Sequence, residues 1–131
     1  IGQSKTLRAS AQDQVTLVGA GVTLHQALEA HDLLAKEGIA ARVIDLYSVK
    51  PIDLETLQKA ARETRGIVTA EDHSVCGGIG EAVAAVVAGL TRVEILGVRE
   101  MPRSGKPAEL LEMHGLTAPA IAAAAVRLLQ G

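Results

Sequence analysis

Residues 14–21 read "QVTLVGAG", a β-branched run that breaks off at glycines, and helical spacing begins at once behind it. A strand that ends in a tight turn and hands the chain to a helix is half of a parallel β-α-β unit. The pattern then recurs. In residues 23–38, Leu24, Ala27, Leu28, His31, Leu34 and Ala35 stand three and four apart, and Gly38 sits where a left-handed cap would stop the helix. "ARVIDL" is a second strand. "KPIDLETLQKAARETRG" is a helix opened by Pro51 and by Asp53 as N-cap, and closed by Gly66. "IVTAE" is a third strand, "IGEAVAAVVAGL" a third helix and "VEILGV" a fourth strand. Residues 102–107 read as a loop and "AELLEM" as a short helix. Thr117 caps a last helix over 118–130, whose first turn tolerates Pro119. "KTLRA" adds a strand ahead of the first turn. Strands that read as nearly continuous apolar runs, alternating with helices, predict an α/β domain of three layers.

A chain of 131 residues suits one domain, and 48% hydrophobic residues suffice for a core. Aromatics make up only 1%, with Tyr47 alone, so that core must be Val, Leu, Ile and Ala. The shortage of rings argues against nucleic-acid binding by base stacking, and a net charge of -2 leaves no basic footprint for a phosphate backbone. Arg99, Arg103 and Lys106 form one local basic cluster, too small to change that. No apolar run approaches the ~18 residues of a membrane span. Cys76 has no partner for an internal disulfide and points to a reducing compartment, the cytoplasm. The chain begins with Ile1, so a fragment of a larger protein is expected.

Residues 71–83, "EDHSVCGGIGEAV", crowd two carboxylates, a histidine, the only cysteine and three glycines together ahead of a helix. Cys76 and His73 have the types of a nucleophile and its base, but nothing separately supplies an orienting acid, and a free cysteine also serves as a small buried hydrophobe. His25, His31, His73 and His114 lack metal-ligand spacing. "GAGVTL", with Asp45 ending the next strand, stands where a dinucleotide fingerprint would, yet position 24 is leucine where the third glycine is needed. A tight turn explains it without a ligand. Glu71 and Asp72 lie at a strand end, where parallel sheets collect ligands. Chemistry, helix capping or an interface ion pair are all open to them.

Five stretches carry a resemblance: "GQSK" from Gly2, "VTLVGAGVTLHQAL" from Val15, "KPID" from Lys50, "AEDHSVCGGIGEAV" from Ala70 and "PRSGKPAELL" from Pro102. Over essentially the whole chain they resemble the transketolase C-terminal domain, and more the animal transketolases than those of yeast or most bacteria. Deoxyxylulose-phosphate synthase and the beta chain of 2-oxoacid dehydrogenases share the domain more loosely. "MHGLTAPAIAAAAVRLL" is similar to the former, whereas "PRSGKPAELL" is not. The other alternative is a stand-alone anion- or nucleotide-binding module, suggested by the two glycine turns.

The resemblance implies an α/β/α sandwich with a five-stranded mixed sheet, mostly parallel, its antiparallel first strand being "KTLRA" and residues 1–13 a leading strand and linker. It implies transfer of two-carbon ketol units between sugar phosphates, a reaction of the pentose phosphate pathway. Thiamine diphosphate and a divalent cation, magnesium or calcium, would bind in other domains of a homodimer. This chain would then hold no catalytic, cofactor-binding or metal-binding residue. Its partners would be the remaining domains, with sugar phosphates bound elsewhere and neither nucleic acid nor membrane. The family strand order sets the strands ending at Val18 and Ala70 side by side, so the turns at 19–23 and 71–80 should face each other across one crevice. The residues expected at that crevice or at an interface are Gly19, Gly21, Glu71, Asp72, His73, Gly77, Gly78, Gly80 and Arg103. Two helix N-termini would converge there and favour an anion, supplied from within by Glu71 or Asp72 in preference to an external ligand.

Overall fold

The computed structural model describes residues 4–46, 52–74, 78–98 and 116–131, and of residues 22, 72–74 and 98 the backbone alone. Five strands form one sheet: β1 (Lys5–Arg8), β2 (Val15–Gly19), β3 (Ala41–Asp45), β4 (Gly66–Ser74) and β5 (Arg92–Val98). Among the described residues the helices are α1 (Val22–Lys36), α2 (Leu54–Glu63), α3 (Ile79–Val86) and α4 (Ala118–Gln130). The strand order is β1-β3-β2-β4-β5. The pairings β2–β3, β2–β4 and β4–β5 are parallel and β1–β3 is antiparallel, as expected of "KTLRA".

Strand alternation divides the core between the two sheet faces. Val15, Leu17, Val43, Val68 and Ala70 pack with Ala27, Ala30 and Leu34 of α1 and with Ile121, Ala124, Ala125 and Leu128 of α4. Val18, Ile44 and Ile67 face the other way, onto Leu57, Ala60 and Ala61 of α2 and Val83 of α3. Alanine on so many of these positions lets helix backbones lie close to the sheet without rings to fill gaps.

Several local expectations change at element ends. Asp53 does cap α2, accepting from the Thr56 amide at 3.1 Å and hydroxyl at 2.8 Å, and from the Ser4 hydroxyl at 2.6 Å. Gly66, however, does not close that helix. The α2 C-cap is Thr64, whose hydroxyl lies 2.8 Å from the Ala60 carbonyl, and Gly66 opens β4. A side chain at Gly66 would run into Leu128, so helix-on-strand packing selects the glycine there. The third helix stops at Val86 rather than Leu90, because the chain turns through Gly89 at φ 81. Thr117 occupies the N-cap of α4 without a side-chain capping bond. Gln26 of α1 takes over part of that work, its side-chain oxygen accepting from the Ala118 amide at 2.8 Å. The loop at 102–107 and the helix expected at "AELLEM" lie outside the described residues.

Candidate functional site

The carboxyl ends of β2 and β4 meet at the centre of the sheet, with Gly19 in register with Ala70. From there α1 leaves over one face and α3 over the other, as their core partners record. This is the switch point of an open α/β sheet, the usual place for a crevice.

On the β2 side, Gly21 is the N-cap of α1 at φ 61, a left-handed backbone that favours glycine. Gly19 serves closeness instead: a Cβ there would stand 3.1 Å from the Thr23 carbonyl. Thr23 is fully buried and ties the turn to the neighbouring strand. Its hydroxyl lies 2.8 Å from the carbonyl oxygens of Ala20 and of Ala70, and accepts from the Ala20 amide at 3.1 Å.

On the β4 side, Glu71 is 3% exposed and its carboxylate is turned inward. It accepts from the Ile79 amide at 2.9 Å and the Gly80 amide at 3.0 Å. Two of the four orphan donors of α3 are thereby satisfied by a negative charge at the positive end of the helix dipole. Gly78, the N-cap of α3, has an ordinary φ of -98, so backbone freedom is not its reason. A Cβ on Gly78 would stand 2.5 Å from a Glu71 carboxylate oxygen. One on Gly80 would strike Ile95 and lie 3.0 Å from the Thr69 hydroxyl. Both glycines make room for neighbours, where the sequence had suggested a tight backbone turn.

The sequence-expected residues thus divide. Gly19, Gly21, Glu71, Gly78 and Gly80 come together at the two turns. Asp72 and His73 belong to the backbone of β4, which runs on to Ser74 rather than ending at Glu71, with a register irregularity against β5 between those two residues. Gly77 and Arg103 lie outside the described residues, as do Cys76 and His114. Asp45 ends β3 beside Gly19. The two residues that sequence reasoning missed are threonines. Thr23 entered only as the start of a helix, although a hydroxyl directly behind a glycine turn is a recurrent source of local backbone bonds. Thr69 sits mid-strand, is fully buried and has no hydrogen-bond partner for its hydroxyl among the described residues. Nothing in an apolar strand pattern marks that.

Chemically the arrangement holds an anion of its own. Glu71 fills the α3 end, and among the described residues no group of three or more His, Cys, Asp or Glu is placed to hold a metal. A family model described as the transketolase C-terminal domain matches residues 2–121. The chain belongs to that family. It is 52% identical to the transketolase of Rattus norvegicus over 92% of its own length, and 51% identical to that of Homo sapiens over 95%. It spans about a fifth of the length of these relatives, covering 20% of each. Among solved structures, a split-gene transketolase described as an inactive beta4 tetramer aligns at TM-score 0.90 and 44% identity, over 98% of this chain and 43% of that one. A Pichia stipitis transketolase aligns at TM-score 0.73 and 19% identity over 97% of this chain and 18% of its own, which shows the shared fold alone. The transketolase C-terminal domain is therefore the frame in which the crevice is to be understood.

Proposed function

We propose that this chain is the C-terminal domain of a transketolase-like enzyme that moves two-carbon ketol units between sugar phosphates, and that its own part is structural. Transketolase membership over 92% of the chain, together with coverage of only a fifth of the relative, supports assigning catalysis to the remainder. The observation that carries the structural reading is Glu71. A diphosphate bound here would seek helix N-terminal amides, and those of Ile79 and Gly80 already face a buried carboxylate. The described residues of the crevice therefore do not fit thiamine diphosphate, no group of three or more His, Cys, Asp or Glu among the described residues suits its divalent cation, and both belong in the proposal to the other domains of a cytoplasmic homodimer.

Calorimetric titration of the chain with thiamine diphosphate and magnesium, with NAD and with sugar phosphates tests this. The expected result is no heat of thiamine diphosphate binding and no ketol transfer. Micromolar binding of the cofactor by the lone chain would overturn it. A second reading, that the parent is one chain of a split enzyme, is favoured by the 44% identity to a split-gene transketolase. The length of the parent reading frame separates the two. Several hundred residues with a glycine-aspartate-glycine cofactor motif upstream would support a single-chain enzyme.

A further inference from the structure

At the opposite end of the sheet from the crevice, the amino ends of β4 and β5 border an open depression of about 610 Å³. Arg62, Arg65 and Arg92 line it with Thr91 and the turn at Gly89 and Leu90, and among the described residues no Asp or Glu side chain lines it. Three like charges in one concavity stand out in a chain whose net charge is -2.

Part of this cluster has a structural explanation. Arg65 donates to the Leu129 carbonyl at 2.9 Å, and Arg92 to the Leu128 carbonyl at 2.6 Å and to an oxygen of Gly131, the last residue of the sequence, at 3.0 Å. Both thus serve the carboxyl end of α4, where cations are favoured. The Leu129 and Leu128 carbonyls hold the two guanidinium groups in place without neutralising them, whereas the Gly131 oxygen, part of a carboxylate in the 131-residue chain, sets a charge against Arg92 alone. Each keeps further N–H donors. Arg62, in the last turn of α2, makes no hydrogen bond or ion pair among the described residues. The acids nearest in sequence are engaged elsewhere. Glu63 reaches Arg42 at 2.9 Å, and Glu94 holds Arg127 at 2.6 Å.

We infer that this depression is a binding site for a phosphate-bearing anion, with Arg62 as its mobile arm and Arg65 and Arg92 as its fixed walls. Planar guanidinium groups fit phosphate oxygens in pairs, and two preplaced donors reduce the cost of ordering the third. The site lies away from the crevice filled by Glu71, so its failure would leave the proposed structural role untouched.

The test is a titration of the chain with pyrophosphate at constant ionic strength, followed by amide chemical shifts. Parallel arms use inorganic phosphate, sodium chloride and a glutamate-rich peptide. Saturable shifts confined to residues 62–65 and 89–92 are expected with pyrophosphate and, more weakly, with phosphate. Arg62→Gln removes no hydrogen bond or ion pair among the described residues and should weaken pyrophosphate binding roughly two- to fivefold, the range of a solvent-exposed charge pair. Three outcomes would each overturn the inference: no saturation, the same shifts with chloride alone, or unchanged affinity in Arg62→Gln. Binding of the peptide without pyrophosphate would likewise replace it with an acidic protein partner.

Discussion

Glu71 is a buried acid whose two oxygens each meet a backbone amide of the next helix, so its removal leaves donors without partners. A buried amide left unpaired costs about 1–3 kcal/mol, more than an average hydrogen bond contributes, because the loss includes desolvation. Glu71→Ala should therefore lower stability by at least that amount in urea unfolding, while Glu71→Gln, which keeps one acceptor, should lose less. Equal stability of wild type and Glu71→Ala would mean that the carboxylate is not what holds the α3 terminus. Two residues earlier on the same face of β4, Thr69 presents the reverse case. Its hydroxyl is buried and has no partner among the described residues. An unpaired hydroxyl in an apolar setting costs about 1–3 kcal/mol, and valine has the same shape without it. Thr69→Val is expected to raise the urea midpoint with an unchanged slope. A lowered midpoint would show that the hydroxyl has a stabilising partner.

The contact between α3 and β5 depends on a missing side chain. Alanine at Gly80 would meet Ile95, a β-branched residue with few rotamers to retreat into. Gly80→Ala should cost roughly 1–3 kcal/mol of overpacking, and Ile95→Ala in the same chain should recover part of it. A double-mutant cycle with no coupling would place the strain elsewhere. At α2, partial burial raises the pKa of Asp53, but the bonds from Ser4 and Thr56 outweigh it and hold the value below its ordinary 3.8. A depressed carboxyl stabilises the fold above its unfolded pKa and loses that contribution as pH falls through the folded value. Asp53→Asn should accordingly make stability less steep with pH on the acid side of about pH 4. An identical acid limb in the variant would contradict the assignment. These elements also mark how far the sequence could be read. Helix and strand periods located β2, α1, β3 and α2, and Asp53 announced itself as a cap because a short acidic side chain directly before an amphipathic helical run is a favoured N-cap. Gly66, Gly78 and Gly80 were visible as glycines but not for what they do. Their reasons are Leu128, Glu71 and Ile95, neighbours that only the tertiary fold supplies. Glu71 was legible as an internal anion only once a family strand order had set two turns side by side.

Taken as a whole, the molecule has two apolar layers that share one sheet. Val15 and Leu17 of β2 belong to the layer under α1 and α4, whereas Val18 of the same strand belongs to the layer under α2 and α3. β4 alternates likewise, with Val68 and Ala70 on one side and Ile67 on the other. Neither layer can come apart without stripping a face from strands the other needs. The bonds that cross elements act in the same sense: Thr23 ties α1 to β4, Gln26 ties α1 to α4, and Glu71 ties β4 to α3. A single domain held this way should unfold in one step on its own. For 131 residues the unfolding enthalpy near 60 °C should be about 90 kcal/mol, at roughly 0.7 kcal/mol per residue. Scanning calorimetry checks both points. The expected record is one endotherm whose calorimetric and van't Hoff enthalpies agree, with little hydrophobic dye bound before it. A broad transition with strong dye binding at low temperature would mean that the isolated layers are not closed. The other domains proposed for the enzyme would then complete this domain's core rather than merely adjoin it.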